Sequence, residues 1–264
     1  MRLWQVDAFA SEAFTGNPAA VCHLEQPADA TWMQSVAMEM NLSETAFFWP
    51  LGHGGFGLRW FTPASEVPLC GHATLATAHV LWNELEVDRG APLRFQTLSG
   101  ELVATASNAG IELDFPAVRL ELLRGADVPA RLSAAVQVDL AEAYAEPRRY
   151  VVELPAEHMV REFHPELGIL QKLDRGLVIT ARSDGKPYDF VSRYFAVPYG
   201  VPEDPVTGSA HCSLAPYWQE RLGKSEFRAY QASPRGGELG VRIAGERVYL
   251  TGRAVTVLRG ELAV

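Results

Sequence analysis

Three short segments of the 264-residue chain carry side chains suited to moving protons or holding an anion. NLSETAFF (41–48) sets Glu44 directly before an apolar run, CGHAT (70–74) sets Cys70 and His72 on either side of Gly71, and EDPVTGSA (203–210) brings Asp204 within a few residues of Gly208 and Ser209. A carboxyl packed against Phe47 and Phe48 would have its ionised form desolvated, which raises its pKa toward the range where one group can both take and give a proton. Asn41-x-x-Glu44 also has the spacing of a capping box. The helical pattern before it ends near Met40, however, so a helix running out into a strand is expected. His72 reads either as a proton holder or as a helix cap, and Asp204 as a reactive carboxylate or as the turn residue of an Asp-Pro pair. Cys70 reads as a thiol activated at a helix N-terminus or as a small buried apolar group.

These residues need elements to hold them. ATLATAHVLW (73–82) and SAHCSLAPYW (209–218) have helical character and contain no Asp, Glu, Lys or Arg. A surface helix shows a polar stripe, so a helix without one is buried on every side, and in a strand-rich chain the way to bury it is to wrap a sheet around it. The two helices have matching surroundings: Arg59-Trp60-Phe61 leads through a Pro-containing loop to Gly71 and on to Trp82, and Arg193-Tyr194-Phe195 leads through a loop three residues longer to Gly208 and on to Trp218. Loop length is a cheap variable, so an internal repeat is expected. Its halves are 1–115 and 116–256, with the strand near 257–264 a candidate to complete the first. A buried helix that starts on small residues leaves backbone N–H groups and the positive end of its dipole at the start. Two such starts facing a cleft between the halves would form a carboxylate site without a lysine cluster.

Composition narrows the function. Hydrophobic residues are 48% and charged residues 21% of the chain, an ordinary globular balance, and 23 Lys and Arg stand against 32 Asp and Glu for a net charge of −9. So acidic a chain is not expected to bind nucleic acid. Cys22, Cys70 and Cys212 show neither disulfide nor zinc spacing, and no metal or cofactor is expected. Asp7 and Glu12 interrupt the N-terminal stretch where a signal peptide needs an apolar run. The longest stretch without Asp, Glu, Lys or Arg, 67–83, is too short to cross a bilayer comfortably, so a cytoplasmic protein with no membrane association is expected. GHGGFG (52–57) precedes a strand and reads as a hairpin turn, and the nucleotide, zinc-protease and serine-hydrolase motifs are missing. The fold class is a β-rich α+β protein.

QVDAFASEAFTGNPAAVC, NLSETAFF, LRWFTPASEVPLCGHATLATAHVLW and SRYFAVPYGVPEDPVTGSAHCSLAPYW together resemble, in order, the signature blocks of the PhzF-like phenazine-biosynthesis family of the diaminopimelate epimerase-like fold. The resemblance implies two pseudo-symmetric domains, each a barrel-like sheet around a central helix, and cofactor-free isomerisation of a small carboxylated substrate by proton shuttling. On that resemblance Glu44 matches the family's general base and acid, while Ser43, Gly71, His72, Asp204, Gly208 and Ser209 match its substrate-contacting residues. Members are often dimers, so a homodimer is among the expectations. Related epimerases use two cysteines, one at each helix start; this chain keeps Cys70 but has Asp204-Pro205 in the corresponding region of the second half. The alternatives are an epimerase or racemase using Cys70, and a non-catalytic binding protein with the same fold. Fold alone does not choose the substrate.

Overall fold

The structure, a computed structural model, describes residues 1–52, 54–185 and 187–263. Its chain forms two units, Met1–Phe115 with Tyr249–Val264, and Pro116–Val248. The first carries β1 (Arg2–Ala8), β2 (Asn17–His23), α1 (Ala30–Met40), β3 (Glu44–Pro50), β4 (Phe56–Phe61), β5 (Glu66–Val67), α2 (Gly71–Asn83), β6 (Leu93–Thr97), β7 (Gly100–Ser107) and β8 (Gly110–Pro116). The second carries β9 (Glu121–Arg124), α3 (Ala130–Val136), β10 (Glu142–Glu146), β11 (Arg149–Glu153), α4 (Glu157–Arg161), α5 (Leu167–Leu170), β12 (Gly176–Arg182), β13 (Phe190–Ala196), β14 (Val201–Asp204), α6 (Gly208–Leu222), β15 (Glu226–Gln231) and β16 (Gly237–Ala244). Two further strands follow, β17 (Arg247–Gly252) and β18 (Ala254–Glu261). No helix of the described residues is long and apolar enough to cross a membrane.

The uncharged stretches 73–82 and 209–218 lie in two buried helices, α2 and α6. Eleven of the thirteen residues of α2 are buried, and β1, β2, β3 and β18 lie against it. In α6 the stretch 208–218 is buried except at Ser209 and Pro216. A helix so enclosed must satisfy its polar side chains internally, and in both helices buried hydroxyls return to their own backbone. Thr74 and Thr77 donate to the carbonyls of Cys70 and Ala73 (2.6 and 2.7 Å), and Ser213 donates to Ala210 (2.9 Å). Pro216 has no N–H for the Cys212 carbonyl, which takes the backbone N–H of Val118 instead, at 3.0 Å. Outside each sheet lies a second apolar layer: α1 seats Met33, Val36 and Ala37 on Phe47 and Leu3, and α3 to α5 cover β10 to β13.

Strand order repeats between the units. In the first, β18, β1 and β2 are antiparallel neighbours, β2 and β3 are parallel, β3 and β4 antiparallel, β4 and β6 parallel, and β6 and β7 antiparallel. In the second, β9, β10 and β11 are antiparallel, β11 and β12 parallel, β12 and β13 antiparallel, β13 and β15 parallel, and β15 and β16 antiparallel. The short β5 and β14 each fold back on the strand before them, just ahead of the buried helix. The expected repeat of basic–aromatic–Phe strand, loop and buried helix is therefore present in both units. It extends to an ion pair: Arg59 grips Glu66 through two hydrogen bonds (2.6 and 2.7 Å), and Arg193 grips Glu203 likewise (2.7 and 2.9 Å). Each guanidinium also lies over a ring two residues on, Phe61 or Phe195.

Several details differ from the pattern-based expectation. The helical periodicity of 131–140 is realised only to Val136, where Gln137 turns left-handed, and that of 165–171 only over 167–170. β10 and β15 carry little strand pattern, because the buried face of β10 holds only Ala143 and Ala145 and β15 interleaves charges as EFRAYQ. The return to the first unit starts before 257, since β18 pairs with β1 from Ala254 onward; 247–258 reads as one long alternation broken only at Gly252-Arg253. The glycine run joins β3 to β4 as a hairpin, Leu51 accepting from Gly54 and donating to Gly55, while His53 lies outside the described residues.

Arg193 is the more deeply committed of the two repeat arginines. Its side chain is 8% exposed, against 23% for Arg59, and its Nη1 also reaches the carbonyls of Val160, Arg161 and Phe163. Arg193→Met leaves Glu203 and those carbonyls unpaired and is expected to cost about 3–5 kcal/mol. Arg59→Met, nearer the surface, should cost about 1 kcal/mol. Urea unfolding of the two variants measures the difference, and equal losses would contradict it.

Candidate active site

Glu44 opens β3, and the alternation of that strand decides what its carboxylate meets. Phe47 points to the outer layer under α1, so it is not the partner that its neighbouring position suggests. Instead Glu44 meets the first turn of α2: its Oε2 lies 3.2 Å from Nε2 of His72, the two side chains 18% and 5% exposed. The approach is close but lacks hydrogen-bond alignment. The other ring nitrogen, Nδ1, is 3.2 Å from Nδ2 of Asn17 and 3.5 Å from Sγ of Cys70. An amide nitrogen only donates, so Nδ1 accepts and the single proton of the neutral ring sits on Nε2, on the Glu44 side. Asn41 closes α1 in the left-handed conformation, which removes the capping-box alternative for Glu44. Ser43, half-buried, directly precedes it.

Glu44, Cys70 and His72 bring three potential metal-ligand atoms within 4.8 Å of one another. The imidazole stands between the thiol and the carboxylate, one nitrogen toward each, which suits proton passage along the row better than convergence on one ion. Asn17 could not be picked from the sequence. It stands after Gly16, whose φ of 67° and closeness to the Ala8 carbonyl leave no room for a side chain, so TGNP reads as an ordinary turn.

In the second unit, ungapped alignment from the paired glutamates sets EVPLCGHAT (66–74) against EDPVTGSAH (203–211). The extra residues lie earlier, in the turn at Val197–Tyr199. The residue opposite Cys70 is therefore Thr207, not the Asp204-Pro205 pair, and Asp204 stands opposite Val67. Cys70 and Thr207 are the N-cap residues of α2 and α6, and neither side chain caps its helix. By contrast, Asp29 accepts from two backbone N–H groups at the start of α1. Thr207 donates its hydroxyl to Asp204. Buried Gln231 secures the loop, accepting from the Thr207 N–H and donating to the Asp204 carbonyl, both at 2.7 Å. Gly208 is buried, and Ser209 is exposed with its oxygen 3.1 Å from Nη2 of buried Arg149. Thus the structure joins Glu44 with His72 and Gly71 in one unit, and Asp204 with Gly208 and Ser209 in the other. Thr207, Gln231 and Arg149 are additions. The repeat could have revealed Thr207; Arg149, half of an Arg-Arg pair in a charged stretch, gives no sequence signal.

Burial sets the protonation of the enclosed histidines. It pushes His72 down to about 3, and His211, fully buried and donating from Nδ1 to the Thr207 carbonyl, down to about 4. Both are lowered from the unfolded value of about 6.5, so as pH falls through 6.5 the unfolded chain takes protons that the folded chain refuses. The stability they contribute is complete above 6.5 and is lost progressively below it, by up to about 1.4 kcal/mol per pH unit for each. Urea midpoints should fall between pH 7.5 and 5, while the imidazole ¹⁵N resonances of both stay at neutral-form positions. A protonated His72 at pH 5 would contradict this.

The family model described as phenazine biosynthesis-like protein matches residues 6–260. An uncharacterized isomerase of Halalkalibacterium halodurans is 49% identical, the match covering 98% of this chain and 97% of that protein. The crystal structure of a phenazine biosynthesis PhzF-family protein of Enterococcus faecalis superposes with a TM-score of 0.92 at 42% identity, covering 100% and 99% of the two chains. A predicted epimerase of Pseudomonas aeruginosa, at 24% identity and a TM-score of 0.72 over 100% and 99%, shares the fold. With matches running over nearly its whole length, the chain belongs to the phenazine biosynthesis-like protein family.

Proposed function

We propose that this protein is a cofactor-independent isomerase that takes a proton from carbon in a small carboxylated substrate and returns it to another atom. The carrying observation is the Glu44 carboxylate 3.2 Å from the Nε2 edge of a neutral, buried imidazole at the start of an enclosed helix. Relatives bearing the name isomerase support the reaction class. In the proposed step the substrate C–H bond breaks, the proton passes to a Glu44 oxygen, and the electron pair is delocalised toward an electron-accepting group as enolate-like charge. Backbone N–H groups at a helix start offset that charge. Return of the proton at a different carbon completes a double-bond shift with no net change in oxidation state. In this step neutral His72 turns its Nε2–H onto the ionised Glu44 and orients it, the two atoms already standing 3.2 Å apart. Asp204, Gly208 and Ser209 are assigned to holding the substrate, Asp204 with a proton-relay role through the Thr207 hydroxyl.

A second reading, epimerisation through the thiol, rests on Cys70 Sγ lying 3.5 Å from Nδ1 of His72. Thr207 in the equivalent position supplies no second thiol, which favours the carboxyl-centred reading. Solvent-deuterium incorporation across a panel of small unsaturated and α-amino carboxylates tests both. Glu44→Gln preserves shape but not titration and is expected to lower turnover about 10²–10⁴-fold, the scale of a lost general base, with substrate affinity changed much less. Cys70→Ser should be far milder. Wild-type exchange in the Glu44 variant, or a larger loss in the Cys70 variant, would reject the carboxyl shuttle.

A further inference from the structure

The strand registers show what each unit places beside its buried helix. Phe61 pairs with Thr45 across β3 and β4, and Phe195 with Leu177 across β12 and β13; the preceding residues, Glu44 and Gly176, are thus equivalent. Their neighbours on the parallel strands are Ala19 and Arg149. Where the first unit has a carboxylate on β3 beside a small residue, the second has no side chain on β12 beside an arginine. The space is used: a Cβ at Gly176 would come within 2.7 and 2.8 Å of the Tyr194 ring and hydroxyl, so glycine admits that ring, and the ring packs 4.9 Å from the Arg149 guanidinium. The first-turn residues of the helices, His72 and Ser209, are equivalent too. Glu44 reaches His72, and Arg149 reaches Ser209.

The Arg149 side chain is 6% exposed, with Nε 2.7 Å from Glu146 but out of alignment, Nη2 donating to Ser209 Oγ, and Nη1 without a hydrogen-bond partner. A buried guanidinium is rarely left with donors unused. A serine oxygen that accepts from it has its own hydrogen left to donate, and Ser209 is exposed at the start of a fifteen-residue helix whose N-cap side chain makes no cap hydrogen bond. We propose that Arg149 is a positioning residue that acts through Ser209 to make the start of α6 a site for a carboxylate group, a ligand that only accepts hydrogen bonds. The site comprises the Ser209 hydroxyl and the backbone N–H groups of Gly208 and Ser209, the Ala210 N–H being given to the Thr207 carbonyl at 3.2 Å. This rests on the reading that Gly208 and Ser209 hold the substrate, and it adds what selects the group held there: one half of the repeat keeps the carboxylate and imidazole that handle protons, and the other exchanges them for a guanidinium and a hydroxyl.

The test is titration of the full-length protein with sodium acetate at constant ionic strength, following the amide ¹H–¹⁵N resonances of Gly208, Ser209 and Ala210. Wild type should show saturable shifts at these amides. Glu146→Gln with Arg149→Met removes the buried pair together, leaving no unpaired charge, and should weaken acetate binding about tenfold. Glu146→Gln alone, which leaves the guanidinium charge uncompensated, should tighten it, a change that a merely structural arginine would not produce. Ser209→Ala, at an exposed position, should weaken binding as much as the double variant, and adding it to the double variant should cost little more. Normal binding in the double variant, no tightening with Glu146→Gln, or independent losses from Ser209 and Arg149 would overturn the role of Arg149 while leaving the substrate site standing. Absence of wild-type shifts at 208–210 would overturn both.

Discussion

A helix without a charged or polar stripe has to be covered on every side. In α2 and α6 the covering is a sheet, so each unit must supply enough strands to surround its helix, and the first does so with β18 from the far end of the chain. Glu84, just past α2, receives two hydrogen bonds from Arg259 and one from Thr256, tying that returning strand to the helix it covers. Enclosure also fixes where polarity can concentrate. Along the helix, Thr74, Thr77 and Ser213 turn their hydroxyls back on the backbone. At the start, the first N–H groups have no carbonyl one turn earlier to bond, so that end is the one place where a buried helix offers donors. Both candidate residue sets stand there.

The two units answer the same geometry with different side chains. The paired Arg59–Glu66 and Arg193–Glu203 fix the folded-back strand ahead of each helix and so bring the N-cap residue to the same place. Beyond that frame little chemistry is shared: Cys70 corresponds to Thr207, His72 to Ser209, Glu44 to Gly176 and Ala19 to Arg149. Even the residue that bonds the N-cap carbonyl differs, Thr74 in one helix and His211 in the other, with the hydrogen bond kept. The frame thus tolerates exchange of reactive groups while preserving the contacts that hold the helix start.

Much of this was legible in the sequence because it depends on local composition. The absence of charge in 73–82 and 209–218 predicted enclosure, and Gly71 and Gly208 marked the helix starts. Glu44 and His72 were nameable one at a time, but not as a pair, since the strand alternation that turns Glu44 toward α2 and Phe47 away from it requires knowing which face of β3 is inner. Asn17 and Arg149 depend on strand pairing across many residues, which local spacing does not encode. Thr207 is hard to place from sequence because the longer second loop invites alignment from the strand; alignment backward from the helix, or from the paired glutamates, places it opposite Cys70.

The buried imidazole also constrains the proposed chemistry. A histidine cation 3.2 Å from a carboxylate would stabilise the ionised acid and make it a poorer proton acceptor. Burial prevents this: with His72 held down to about 3, the ring beside Glu44 is neutral at any ordinary pH and offers a hydrogen bond without a countercharge. Under the isomerase reading, enclosing the histidine therefore sets a neutral donor edge beside the base, which depresses its basicity less than the full countercharge of a lysine or a protonated histidine in that position would. The same enclosure argues for one base rather than two. Thr207 occupies the place where a second acid–base thiol would stand, and a threonine hydroxyl does not ionise in the working range of a cysteine. A proton taken by Glu44 under the isomerase reading has Glu44 as its source on return, so it should come back to the face of the substrate from which it left.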